Sequence, residues 1–141
     1  DETLIHDLLE AMQAAAADFT LTFRGLSAAA ADAAADADLR RLFANPAALD
    51  AWLTRWRERL AREAMSAEER AARMRAVNPA FIPRNHRVER ALEAAVDAGD
   101  LAPFRELLDV VTRPYEDQPG RDAYAAPPRP DERVLQTFCG T

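Results

Sequence analysis

The residues whose side chains could carry out chemistry are few in this 141-residue sequence. Its single cysteine, Cys139, is the third residue from the C-terminus, and an accessible thiol takes part in redox chemistry more readily than a buried one. The alternative is an inert thiol on a frayed chain end. One cysteine forms no disulfide within the chain and no CxxC zinc site. Cys139 is therefore the candidate site residue, and its expected chemistry is redox.

The remaining titratable groups show no catalytic spacing. His6 and His86 lie far apart and lack HExxH or HxxxH spacing, so we predict no metal site. The adjacent carboxylates at 68–69 are explained by helix capping. Those at 116–117 lie in a proline-rich segment without an apolar pocket to raise a pKa. We therefore predict no catalytic residue in this sequence.

The basic residues exclude the usual motifs that bind a nucleoside triphosphate. All 18 are arginine, whereas P-loop proteins and protein kinases hold phosphates with a lysine near a glycine-rich loop. The four glycines are scattered at 25, 99, 120 and 140, so they form no such loop. We predict that these 141 residues alone neither hydrolyse ATP nor transfer any part of it, and that they bind no cofactor and no metal.

Charge is unevenly distributed along the chain. Residues 1–38 carry a net charge of −7, residues 39–92 carry +6, and residues 93–141 carry −5. This pattern is typical of helices of opposite charge that lie side by side, or of exposed faces with i,i+4 ion pairs. An arginine-rich nucleic-acid binder is the alternative, but the total is acidic and aromatic residues do not interleave the arginines. We therefore predict no nucleic-acid partner.

The composition predicts a helical fold. Apolar residues make up 49% of the chain and alanine alone fills 32 positions, whereas aromatics are 7%. We predict an all-α protein, an irregular multi-helix bundle with a C-terminal helical hairpin and a proline-rich extended tail. Residues 1–112 form the helical region, and residues 113–141 form the tail that ends in the single cysteine. The prolines are expected to prevent regular structure there, and the alternative is a free, disordered tail.

No apolar run is long enough to span a bilayer and no signal peptide is present, so we predict no membrane association and a cytoplasmic location. Because the sequence begins within a helical pattern and without an initiator methionine, we interpret it as a fragment of a longer protein.

The clearest helix follows residues 45–46, where asparagine caps and proline occupies the first helical position. Apolar residues then recur at i, i+3, i+4, i+7 and i+11. We interpret this stripe as core, and a ligand cage formed by the two tryptophans is the alternative. Its members are Leu49, Trp52, Leu53, Trp56 and Leu60.

Several further boundaries follow from local signals. The alternating run 19–23 could be a strand, but a lone strand lacks a partner, so we predict helix or turn. Residues 26–38 form a helix or a loose connection, and Asp36 or Asp38 caps a short helix over 39–44. A capping box at 66–69 begins a helix that stops at Asn78 before a proline.

The C-terminal hairpin is predicted because one helix ends and the next begins across a two-residue connection. Asn85 begins its first helix, Gly99 supplies a left-handed terminator, and Asp100 caps its second helix. We expect the apolar face of the second helix to be buried. The residues of that face are Leu101, Phe104, Leu107, Leu108 and Val111.

The stretch MRAVNPAFIPRN at residues 74–85 carries a family resemblance. It resembles the signature M-x-x-VNP-x-(two apolar)-x-RN of the selenoprotein O family, also called YdiU or protein adenylyltransferase. The likeness continues through residues 91–100 and the RPY at 113–115, and upstream through the DFT at 18–20, the FRGLS at 23–27 and the DAWL at 50–53. It covers essentially the whole chain.

The resemblance implies a parent enzyme of which this chain is the C-terminal region. Such enzymes have a protein-kinase-like fold that binds ATP in an inverted orientation, and with Mg²⁺ or Mn²⁺ they transfer AMP to hydroxyl groups of protein substrates. The catalytic, ATP-binding and metal-binding residues lie earlier in the family's chain, so none is carried over to this sequence.

The resemblance also implies a role for Cys139, which lies where animal members place selenocysteine. In bacterial members a cysteine at this end is implied to take part in redox control, through a disulfide to the catalytic domain. The expected partners are that kinase-like domain and the protein substrates of the parent. The alternative function is a stand-alone helical interaction module without enzymatic activity.

Overall fold

The computed structural model describes residues 1–136, which contain eight α-helices, two 3-10 turns and no β-strand. The all-α prediction is therefore confirmed. Cys139 lies outside the described residues. No helix in residues 1–136 combines the length and the apolar character needed to cross a membrane. The helices are α1 (Glu2–Ala15), α2 (Phe19–Ala29), α3 (Asp36–Arg40), α4 (Ala47–Leu60), α5 (Ala67–Val77), α6 (Asn85–Ala98), α7 (Ala102–Val111) and α8 (Asp122–Ala125).

The chain divides into two compact units. The first, Asp1–Asn78, contains α1 to α5, and the second, Pro79–Thr141, contains α6 to α8. Within the first unit α4 packs on α1, and α2 packs on both α3 and α5. Within the second unit α6 packs on α7.

The core of the first unit is built around α4. Leu49 is fully buried, and Trp52 and Trp56 are 4% and 8% exposed, so the stripe predicted as core is core. The Trp52 indole Nε1 donates a hydrogen bond to the Leu4 carbonyl of α1 over 2.7 Å. This bond satisfies the one polar atom of a buried tryptophan and joins α4 to α1.

Helix α2 covers the residues whose alternation resembled a strand. Asp18 caps it, because its carboxylate accepts the Leu21 amide at 2.9 Å.

The short helix α3 was wrongly placed by the sequence patterns. It spans Asp36–Arg40 instead of 39–44, and Ala35 precedes it without a side-chain cap. Asp32 instead accepts the Ala34 amide and begins a 3-10 turn that leads into α3.

A glycine in α2 permits close approach to α3. A Cβ added at Gly25 would lie 2.7 Å from Cδ2 and 3.2 Å from Cγ of Leu39, which is fully buried. Gly25→Ala should therefore lower the free energy of unfolding by about 1 kcal/mol, because overpacking costs about 1–3 kcal/mol and outweighs the gain of about 1 kcal/mol in helix propensity. Urea denaturation followed by circular dichroism measures this difference.

A second variant separates packing from helix propensity. Gly25→Ala combined with Leu39→Ala removes the atoms that the new methyl group meets, so the Gly25→Ala change should become stabilising in that background. If Gly25→Ala stabilises the protein with Leu39 intact, the Leu39 side chain does not limit the size of the residue at position 25.

The second unit is a helical hairpin, as predicted. Gly99 ends α6 in the left-handed conformation at φ 64°, and the Asp100 carboxylate accepts the Ala102 amide at the start of α7. The buried face of α7 differs from the prediction. Leu107 and Val110 are buried, whereas Leu101, Phe104 and Leu108 are 44–48% exposed. The hairpin therefore leaves part of its apolar surface uncovered among the described residues.

The proline-rich segment contains more regular structure than expected. It contains α8 and, from its last proline onward, a 3-10 turn at Pro130–Glu132. The Pro114 carbonyl accepts the amides of Ala80 and Phe81 at 2.7 and 3.2 Å, which holds the start of the segment against the residues before α6. Prolines interrupt long helices but permit single turns between them, so the expectation of no regular structure was wrong.

Candidate functional site

The tryptophan pair lies beside a shallow apolar cavity. Trp52 and Trp56 stack with ring centroids 5.4 Å apart, and a cavity of about 310 Å³ borders both rings. Leu4, Leu8 and Leu26 of neighbouring helices also line it. Because both rings are more than 90% buried among these apolar residues, their main role is packing.

One group of potential metal ligands occurs on α1. His6, Asp7 and Glu10 place one ligand atom each within 4.8 Å of one another. The His6 and Glu10 side chains are exposed, and Asp7 accepts a hydrogen bond from Arg55 at 2.7 Å. Exposed acidic groups on successive turns of a helix commonly form such clusters without binding a metal, so this group alone does not indicate a metal site.

The most unusual group of polar side chains lies at the start of α6, directly after the two prolines of the VNP…PRN stretch. Pro79 and Pro83 exclude helix before residue 84, and α6 then begins at Asn85. Asn85 was predicted to cap α6, but Arg84 holds that position and makes no side-chain cap bond. His86 consequently lies in the first turn of the helix.

His86 is buried without a hydrogen-bond partner. Its exposed fraction is 3%, and neither Nδ1 nor Nε2 bonds to any of the described residues. Burial lowers the pKa of His86 below its usual 6.5, and the nearby guanidinium of Arg87 lowers it further, whereas Glu132 opposes the shift. The imidazole is therefore neutral at neutral pH, with one donor and one acceptor available.

Two arginines of the same turn hold α8 in place. The Arg84 Nη2 atom donates to the Ala125 carbonyl at 2.9 Å, and the Arg87 guanidinium lies 5.6 Å from the centroid of the Tyr124 ring. Burial raises the pKa of Tyr124, and a hydrogen bond with Glu106 raises it further. These contacts order the residues that surround His86.

Two cavities flank His86, with volumes of about 410 and 420 Å³. The first, which we call the α6 N-terminal cavity, is bordered by Pro83, Pro128 and the first residues of α6. Its lining residues are Ile82, Pro83, Arg84, Asn85, His86, Pro128, Arg133, Val134 and Leu135.

The second cavity has a mixed lining. It contains four carboxylates and three arginines, and these charges pair with one another: Glu132 lies 3.6 Å from Arg90 and 3.3 Å from Arg129. Backbone bonding to Arg129 lowers the pKa of Glu132, so this carboxylate is ionised. An anion would meet like charge in this second cavity.

The sequence and the structure both single out the segment before α6, but only the structure singles out His86. The motif at residues 74–85 marked this stretch and Asn85 was predicted to cap α6, whereas His86 was given no role because a lone histidine carries no spacing signal. The predicted redox residue, Cys139, lies outside the described residues, so the structure does not test that prediction.

Comparisons with known proteins agree on one family. Residues 1–112 match the model of the family described as protein adenylyltransferase SelO. The protein nucleotidyltransferase YdiU of Rhizobium meliloti (strain 1021) is 62% identical over all 141 residues, which cover 29% of that protein. Proteins of the same name from Rhizobium johnstonii and Bradyrhizobium sp. (strain BTAi1) are 61% and 62% identical over the whole chain, which covers 28% of each. The chain thus spans less than a third of the length of these curated relatives.

Proposed function

Because this chain belongs to the protein adenylyltransferase SelO family, we propose that it is the C-terminal region of an enzyme that transfers AMP to proteins. In this reaction a serine, threonine or tyrosine hydroxyl of the substrate protein attacks the α-phosphorus of ATP. Pyrophosphate leaves and the hydroxyl proton passes to a base. The match over residues 1–112 is the observation that carries this proposal, and the relatives named nucleotidyltransferase support it.

The catalytic machinery belongs to a kinase-like domain outside these 141 residues. That domain would bind ATP with Mg²⁺ or Mn²⁺. The lack of lysine and of a glycine-rich loop in this sequence supports the placement of ATP binding outside these 141 residues. The 141 residues accordingly serve structure and regulation.

The exposed apolar face of the α6–α7 hairpin supports a docking role toward the catalytic domain. Leu92 and Val96 of α6 are 46% and 81% exposed, and Leu101, Phe104 and Leu108 join them from the other side of the joint. Leu92, Phe104 and Leu108 line one apolar cavity, and exposed apolar surface of this kind typically marks an interaction site. Since relatives extend over more than three times the length of this chain, the occupant we propose is the catalytic part of the same protein.

We assign the regulatory role to Cys139. Its thiolate would exchange with a low-molecular-weight disulfide such as oxidised glutathione, and a second thiolate in the catalytic domain would then displace glutathione to leave a protein disulfide. The thiol partner must lie outside this chain, which contains no second cysteine. Closure requires the two Cα atoms to come within about 7 Å of one another.

Intact-mass analysis tests the activity. The full-length gene product, incubated with ATP, Mg²⁺ and a test protein, should add one adenylate (AMP less water) per modified hydroxyl. The 141-residue chain alone should add none. Addition of a phosphoryl group instead, or labelling by the short chain, would contradict the proposal.

A reductant assay tests Cys139 separately. Dithiothreitol should change the rate of AMP transfer by the wild-type full-length enzyme and leave Cys139→Ser unaffected. If both proteins respond equally, Cys139 has no regulatory role, whatever the outcome of the mass measurement.

The hairpin face also favours a second candidate, a helical interaction module without enzymatic activity. Under that function the full-length gene product adds no adenylate, whereas Phe104→Ser in the exposed face abolishes binding to a separate protein. Under the favoured function the same change weakens packing within one polypeptide and lowers its thermal stability.

A further inference from the structure

The α6 N-terminal cavity combines an unpartnered buried side chain with unpartnered backbone donors. His86 is 97% buried, lines the cavity and has no hydrogen-bond partner at either nitrogen among residues 1–136. A buried polar side chain without a partner costs free energy unless a ligand or a water molecule satisfies it. The His86 imidazole therefore needs a hydrogen-bonding partner beyond the described residues, which a water molecule or a ligand in the cavity supplies.

The backbone beside His86 offers two further donors. The amides of Arg87 and Val88 both donate to the Arg84 carbonyl, at 2.8 and 3.0 Å, but the described residues provide no acceptor for the amides of Asn85 and His86. No side chain caps this end of the 14-residue helix. The N-terminus of a helix carries a partial positive charge, and its free amides favour anions.

The lining charges favour an anion in this cavity alone. Arg84 borders it, Arg133 lies between it and the second cavity, and no carboxylate lines it. The Arg133 guanidinium has no hydrogen bond or ion pair within the described part of the chain, so it is available to a ligand. In the neighbouring cavity, by contrast, arginines already pair with carboxylates.

We propose that the α6 N-terminal cavity binds a phosphate monoester through the amides of Asn85 and His86, the His86 imidazole and Arg133. Phosphate offers three acceptor oxygens in a tetrahedral arrangement, which matches donors that converge from a helix end, a ring and a guanidinium. A volume of about 410 Å³ is in the range of small-molecule pockets and exceeds the needs of phosphate alone. Apolar residues such as Ile82 and Leu135 line the remaining space and would contact the organic part of the ester.

Bound phosphate should change the titration of His86. Three nearby guanidinium groups lower the pKa of His86, and the Glu132 carboxylate raises it. The arginines are Arg84, Arg87 and Arg90. A phosphate dianion adds negative charge next to the ring and therefore raises the pKa of His86. Saturating phenyl phosphate should therefore move the midpoint of the His86 titration, followed by NMR, to higher pH.

The test uses the 141-residue chain with isotope-labelled histidines, followed by NMR. Phenyl phosphate and inorganic phosphate are the probes, and benzoate at equal ionic strength is the control. We expect both phosphates to move the His86 ring signals and to leave those of His6 unchanged, with phenyl phosphate binding more tightly. Equal affinity for the two phosphates would identify free phosphate as the ligand and overturn the ester. Equal responses to benzoate and phenyl phosphate, or no response, would overturn the site.

Two matched variants distinguish a ligand group from a structural one. Arg133→Gln should weaken phenyl phosphate binding about tenfold, the order of one charge-assisted hydrogen bond. Arg129→Gln changes an exposed arginine that borders only the second cavity and pairs with Asp131 and Glu132, so it should change the affinity less than twofold. Both positions are exposed, so both variants should retain the helical circular dichroism signal. Equal weakening by the two variants would contradict the assignment of Arg133.

Discussion

Trp52→Ala is expected to lower the free energy of unfolding of the first unit by about 3–5 kcal/mol. The indole is 4% exposed, stacks on Trp56 and joins α4 to α1 through its bond to the Leu4 carbonyl. Alanine removes the apolar contact area, the ring stacking and the interhelical bond together. A loss of this size is a large share of the 5–15 kcal/mol typical of a whole domain.

Urea denaturation monitored by far-UV circular dichroism measures the effect of Trp52→Ala. Trp52→Phe keeps a ring and loses the hydrogen bond, so its cost should be smaller, about 1–2 kcal/mol. Val77→Ala in α5 provides the exposed control, because Val77 is 70% exposed and should change stability by less than about 0.5 kcal/mol. If Trp52→Ala keeps its stability and instead abolishes binding of a small molecule, the tryptophan pair is a ligand cage.

Asp36→Ala should lower the free energy of unfolding of the first unit by about 2–3 kcal/mol. The Asp36 carboxylate accepts a hydrogen bond from Arg57 at 2.6 Å, and its side chain is only 9% exposed. Removing it leaves the Arg57 guanidinium partly desolvated without its counter-ion. Because the Arg57 side chain is 33% exposed, it can turn toward water, which keeps the cost below that of a fully buried pair.

The same helix offers a matched control for the effect of burial. Asp38 accepts a hydrogen bond from Arg41 at 2.7 Å, almost the same distance, but both side chains are more than 75% exposed. Asp38→Ala should therefore cost less than about 1 kcal/mol. Equal losses for Asp36→Ala and Asp38→Ala would show that burial does not decide the strength of these pairs. The double variant Asp36→Ala with Arg57→Met should recover part of the loss, since no unpaired guanidinium remains.

Features that depend on neighbours in sequence were predictable. The Ser66 hydroxyl accepts the Glu69 amide at the start of α5, and Gly99 ends α6, both as expected. The return bond of the predicted capping box is not formed among the described residues, because the Glu69 side chain accepts a hydrogen bond from Arg73 at 2.8 Å instead. The stripe on α4 was also correctly interpreted as core. A cap or a helical stripe involves residues no more than a few positions apart, so its energy is largely determined by the local sequence.

Local sequence patterns did not predict the structure where several residues could cap the same helix. Asp32, Asp36 and Asp38 are all suitable capping residues, and the structure uses Asp32 for a 3-10 turn and buries Asp36 in an ion pair. The choice depends on Arg57, which lies 21 residues beyond Asp36 in the sequence. A capping preference of about 1 kcal/mol is easily outweighed by such a long-range contact.

By itself, the sequence determined the helical class of the protein, most helix boundaries and the resemblance to its family, because alanine content, caps, prolines and motif spacing act over short stretches of chain. Only the tertiary structure decided which side of the α6–α7 hairpin is covered and that His86 is buried without a partner. An amphipathic pattern shows that a face is apolar but not what packs on it. A lone histidine acquires its environment from residues up to 46 positions away, at Glu132, so only the folded chain reveals it.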